Sequence, residues 1–97
     1  MPIADFNTAL DVSPGEEFAV RLSHESWPEP WPDETAFLFM APHALLRVPC
    51  YAEGSQILLE LDPTETVFPQ HAVGWSITAW HNGQMLRVAS GQLRRQA

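Results

Sequence analysis

Apolar and polar positions alternate with a period of two along much of the chain, which predicts strands rather than helices. From Glu16 to Ser23, Phe18, Val20 and Leu22 fall on one side, with Glu17, Ala19 and Arg21 on the other. From Gln56 to Asp62, Ile57, Leu59 and Leu61 oppose Leu58 and Glu60. Later, Trp75, Ile77 and Ala79 share one face while Ser76, Thr78 and Trp80 share the other. Leu86, Val88 and Ser90 then alternate with Arg87, Ala89 and Gly91. One run departs from the pattern: Ala36, Phe37, Leu38, Phe39 and Met40 are apolar on both faces. That run is too short for an ordinary helix and fits a strand covered on both sides. An opposing sheet would cover one face and a protein neighbour the other. Ala44 to Ala52 predicts a further strand, which Pro49 confines to an edge or a bulge because proline brings no ladder donor.

The punctuation between these runs is equally specific. His81-Asn82-Gly83-Gln84 reads as a type I′ hairpin turn, since Asn-Gly tolerates positive φ at both central positions. Asp62-Pro63-Thr64-Glu65 reads as a capped local turn, with Asp62 as cap and Pro63 at a first helical position. Gly91 inside a strand implies a bulge or a close backbone approach. Residues 1–15 read as an extended N-terminal arm ending in a Pro14-Gly15 turn. Ile3, Phe6, Leu10 and Val12 are too many apolar residues for a solvated tail, so the arm packs on its own domain or lies across a neighbour. With six or seven short strands and no long helix, the fold expected is all-β, a small antiparallel β-sandwich over residues 16–97.

A chain of 97 residues with 45% apolar content is one folded domain with a modest core. No apolar run approaches the roughly 18–20 residues of a membrane-spanning helix. The start, Met-Pro-Ile-Ala-Asp-Phe, lacks the basic and apolar segments of a signal peptide, so the protein is expected to be made in a cytoplasm and either to stay there or to leave by another route such as cell lysis. Charge is informative by position. All 12 acidic residues lie at or before Glu65, and the only later formal charges are Arg87, Arg94 and Arg95. The net charge of −7 argues against a nucleic-acid partner, which needs a basic surface to displace counterions. Two readings of the asymmetry stand: an acidic protein whose termini happen to differ, or opposite patches that orient copies or another subunit.

Candidate chemistry is sparse. Cys50, the single cysteine, sits in a β-like run and reads as a small buried thiol. His24, His43, His71 and His81 are far apart and match no metal-ligand spacing. The pairs Glu16-Glu17 and Asp33-Glu34 are adjacent, so in strands their side chains point to opposite faces and make no two-carboxylate site. There is no nucleophile elbow, no glycine-rich phosphate loop and no cofactor motif. An enzyme is not expected. The exception to this blandness is the loop from His24 to Glu34, where Trp27 and Trp31 alternate with Pro28, Pro30 and Pro32. Three prolines exclude helix and central strand. The two rings either fold back over the open end of the sandwich, anchor in a partner's pocket, or form a carbohydrate-stacking platform.

Several motifs together resemble the small immunoglobulin-like sandwich of bacteriophage tail and baseplate accessory proteins, similar to the N-terminal domain of upper baseplate proteins. Ile57-Leu58-Leu59-Glu60-Leu61-Asp62 and Thr64-Glu65-Thr66-Val67-Phe68-Pro69 carry the middle of the pattern. Gly74-Trp75-Ser76-Ile77-Thr78-Ala79 matches its aromatic strand and Val88-Ala89-Ser90-Gly91-Gln92-Leu93 its last strand. The Trp-Pro-Glu-Pro-Trp loop is not part of it, and many such proteins continue into further domains where this chain reaches Ala97. The resemblance implies an immunoglobulin-like sandwich and a virion structural protein: a tail, baseplate, neck or head-attached accessory. It implies other virion proteins and copies of the chain itself as partners, and no catalytic residues. On this reading Trp27, Trp31, Phe6 and Leu10 are the apolar anchors, Arg94 and Arg95 belong to the orienting charges, and replacing both tryptophans by alanine spares the fold. A carbohydrate- or host-surface-binding module using the same two rings is the alternative, and a small acidic regulator of an enzyme a third.

Overall fold

The computed structural model describes residues 6–25 and 27–96, with side chains from Thr8 onward. It is all-β. Seven strands occur: β1 (Phe6–Val12), β2 (Phe18–Leu22), β3 (Ala36–Ala41), β4 (Leu46–Glu53), β5 (Gln56–Leu61), β6 (Ala72–His81) and β7 (Gln84–Arg95). They are hydrogen-bonded in the order β1-β7-β6-β3-β4-β5-β2, and a 3-10 turn at Pro42–Ala44 precedes β4. The sheet folds over itself into two layers, consistent with a small β-sandwich.

The fold of the ribbon lies in β4. Its first half, Leu46 to Cys50, pairs with β3, whereas Tyr51 to Glu53 pairs with β5. Pro49 sits in the half that has a partner on one side only, opposite Leu38. A residue without an N–H loses nothing there, which reconciles the proline with a strand interior to the sheet order.

The arm resolves in favour of its own domain. Phe6 to Val12 runs parallel to β7, from Phe6 opposite Ala89 to Val12 opposite Arg95. The expectation of an antiparallel sheet is thereby corrected to a mixed one. The cause is topological: β1 and β7 finish at the same end, and the chain then crosses to β2 in the other layer. The crossing is a turn in which the Glu16 amide donates to the Ser13 carbonyl at 3.1 Å, with Gly15 at φ 78°. Pro14 and Gly15 occupy the two central positions, as in a type II turn.

Ile57, Leu59 and Leu61 of β5 are fully buried against Phe39, Ile77, Val88 and Leu93, as the alternation predicts. Phe39 stacks on Trp75 with centroids 5.7 Å apart. Asn82 and Gly83 both have positive φ, the type I′ geometry expected. Beyond that turn the simple alternation fails. Ile77 faces Ala89 but Thr78 faces Arg87, so Val88 is an extra residue and both Val88 and Ala89 are buried. The same strand holds the close approach expected at Gly91, where a Cβ would lie 1.7 Å from the Thr8 carbonyl oxygen of β1.

The link from β5 to β6 is fixed by its own polar groups. Asp62 accepts from the Thr64 and Glu65 amides at 2.9 and 3.0 Å, and the Asp62 amide donates back to Glu65 Oε1 at 2.8 Å. These bonds, led by the Thr64 hydroxyl, hold the Asp62 carboxyl below its ordinary range. Thr66 is buried; its hydroxyl accepts from the Gly15 amide at 3.1 Å and donates to the Glu16 carbonyl at 3.0 Å. One side chain thus ties the β1–β2 turn to the β5–β6 link.

Candidate functional site

The strand directions give the molecule two ends. At the upper end lie segment 27–35, the β4–β5 turn and the β6–β7 turn. At the lower end lie the β1–β2 turn, the 3-10 turn and the β5–β6 link.

The proline-rich loop closes the upper end. Trp27 is 3% exposed and Trp31 7%. Their centroids are 5.6 Å apart, and Trp31 meets Phe37 edge-on at 5.1 Å. The Trp31 ring N–H donates to the Ser55 carbonyl at 3.1 Å, and its backbone amide donates to the Gly54 carbonyl at 3.1 Å. These bonds pin the loop to the β4–β5 turn. The anchor and carbohydrate-platform expectations for Trp27 and Trp31 are therefore corrected: both rings belong to the core. The reason is that the loop lies over the end of the core, where Trp31 packs on Trp27 and Phe37 and its N–H finds the Ser55 carbonyl.

The closure leaves one apolar cavity of about 160 Å³ between the loop and the hairpin, floored by Trp31, Ala79 and Val88 and rimmed by Pro28, Pro32 and Leu86. Its rim is rigid. The Thr35 amide and hydroxyl both donate to the Pro32 carbonyl, at 3.3 and 2.6 Å, and Thr35 Oγ1 lies 3.4 Å from His81 Nδ1. Between Pro32 and Thr35 the exposed Asp33 and Glu34 put negative charge beside the mouth.

The remaining expected partner residues are also engaged within the chain. Leu10 is buried against the core. Arg94 forms a two-pronged pair with Asp11, at 2.8 and 3.1 Å, and Arg95 donates to the Phe68 carbonyl at 2.9 Å. Both follow from β1 lying beside β7, which sets Asp11 opposite Arg94. The side chain of Phe6 lies outside those described. Cys50 is buried, as expected, and burial pushes its thiol up to about 12.

What stands free is different. On the outer face of the β4-β3-β6-β7 layer, register sets Trp80 of β6 between Ala36 of β3 and Met85 of β7, with Leu38 diagonal to Trp80 and Met40 a further row on, opposite Ser76 and Arg47. Tyr51 is 67% exposed and Met85 66%. At the lower end Leu45 is 92% exposed, beside a shallow depression formed by Met40, Pro42, Leu46 and Arg47. The doubly apolar run 36–40 signalled the first of these surfaces in the sequence. Nothing signalled Leu45, because its exposure comes from the 3-10 turn. Among the described residues no group of three or more His, Cys, Asp and Glu side chains is placed to hold a metal ion. No protein-family model matches the chain, and no characterised protein matches it in sequence.

Proposed function

We propose that the chain is a phage or prophage virion structural protein of the tail, baseplate, neck or head-attached kind, working by protein–protein contact. The observation that carries the assembly part of this reading is the outer sheet face. Trp80, Met85 and Leu38 lie next to one another on a layer whose opposite face already fills the core, and exposed Tyr51 follows where β4 passes to β5. Contiguous exposed apolar surface of this kind marks protein–protein contact. The resemblance of residues 57–69 and 74–93 to phage tail and baseplate accessory sandwiches supports the virion part.

The test is direct. Particles induced from a strain carrying the gene are purified and probed by mass spectrometry for the chain. It is expected at a fixed ratio to the other structural proteins, and its absence overturns the virion reading. A Tyr51→Asp, Met85→Asp double variant changes exposed positions only, so it is expected to melt like the parent yet be missing from particles. Normal incorporation of that variant overturns the assigned face.

A further inference from the structure

Leu45 breaks two local rules at once. Its φ of 58° and ψ of 32° place it in the left-handed region, where a Cβ is unfavourable and glycine or asparagine is the usual choice. Its backbone amide caps the 3-10 turn by donating to the Pro42 carbonyl at 3.0 Å, but its side chain is 92% exposed, so no packing within the chain accounts for a leucine there. A glycine would cap the turn equally well, and what leucine adds is an isobutyl group held outward from the lower end. At the upper end is an apolar cavity of about 160 Å³. A cavity of about 150 Å³ lined by apolar side chains takes a benzene molecule, so this one has room for a leucine side chain.

The charges around knob and hole match. Arg47 is exposed two residues after Leu45 and lines the same depression. Asp33 and Glu34 are exposed at the cavity mouth, in the turn between Pro32 and Thr35. Knob and hole are at opposite ends of one molecule, so they satisfy each other only between copies. We infer that the chain associates head to tail, with Leu45 of one copy seated in the Trp31–Leu86 cavity of the next and Arg47 beside Asp33 and Glu34. A second copy is thereby named as a partner for the assembly reading above, and the contact itself depends only on the purified chain.

Such a contact is heterologous and propagates until it closes into a ring or runs on as a fibre. It is also small. The molecule measures 39 × 23 × 20 Å, so an end-on footprint is roughly 450 Å² per partner, against roughly 800 Å² for a stable complex. Association is therefore weak and strongly concentration-dependent.

Sedimentation velocity on the full chain, from about 10 μM to about 1 mM, is the test. The mean mass is expected to rise with concentration. Leu45→Gly relieves the left-handed strain, so its melting temperature is expected to be equal or higher while its mass stays that of a monomer. Leu86→Arg blocks the hole and is also expected to be monomeric. Mixed together, the two give one intact knob-and-hole contact, hence a 1:1 dimer that grows no further. Arg47→Glu weakens association, and Glu34→Arg added to the same chain restores it, with both positions exposed and remote from the core. A monomeric parent, an associating Leu45→Gly variant, a mixture that stays monomeric, or no rescue by the double reversal would each overturn the inference. Absence of the chain from particles bears on the virion reading alone.

Discussion

Cys50 lies on the inner face of β4, where removal from water disfavours the thiolate. Its folded pKa of about 12 exceeds its ordinary 9.0. The folded form therefore keeps its proton where the unfolded form has lost it. This contribution to stability is complete below pH 9 and declines between pH 9 and 12, by at most about 1.4 kcal/mol per pH unit. Chemical denaturation at pH 8 and at pH 10.5 checks the sign, with a Cys50→Ala control removing the difference. Two other positions give sharper single-residue effects. Gly91→Ala drives a Cβ into the Thr8 carbonyl, and because backbone cannot rotate away, a loss of about 3 kcal/mol is expected in urea titration. Trp31→Ala removes a ring packed on Trp27 and Phe37 and should cost about 3–5 kcal/mol, a large part of the whole for a domain this small. That cost is why the double alanine substitution in the loop cannot be used as a clean probe of partner binding.

At the scale of elements, the strands and turns were legible wherever a local rule decided them. Period-two alternation located β2, β5 and β6, Asn82-Gly83 defined the hairpin, and Asp62 behaved as a cap. What was not legible depended on long-range pairing. The extra residue at Val88 lies inside a strand, and the position of β1 is set by β7, far along the chain. The same blindness affected the candidate site. Exposed tryptophan, free arginine and anchoring leucine were inferred from residue type, but pairing decides which of them reach solvent. Thr66 shows how strongly one long-range contact can tie elements together. Thr66→Val keeps the shape and deletes the hydroxyl, leaving the Gly15 amide and Glu16 carbonyl without their partner. A loss of about 1–3 kcal/mol is expected, measured by thermal or urea unfolding.

For the whole molecule, the ribbon has two free borders, β1 and β2, and its best-tied strands are those between neighbours on both sides. Amide hydrogen exchange should follow that order. Protection is expected to be greatest in β6 and β3, least in β2, and lower in the half of β4 around Pro49 than in β6. Uniform protection across all seven strands would show that opening is global and that the sheet borders have no separate motion. The acidic first part of the chain does not form one face. Its carboxylates divide between Glu29, Asp33 and Glu34 at the upper end and Glu16, Glu17, Asp62 and Glu65 at the lower. In three dimensions both ends carry carboxylates, and the lower end differs in having exposed Arg47 close to Leu45.

The parallel course of β1 beside β7 has a practical consequence for building with this domain. Arg95 leaves at the lower end, while Phe6 lies level with Ala89, partway down from the upper end. In a head-to-tail stack the polypeptide of one copy ends beside the top of the next. To reach that copy's Phe6 it must run past about five residues of β7, roughly 17 Å. A linker of about seven residues joining Arg95 of one copy to Phe6 of the next reaches, fully extended, at most about 25 Å. Two copies fused through a linker of that length can therefore span the distance along β7. The fusion would turn a weak meeting of separate molecules into an internal one at millimolar effective concentration.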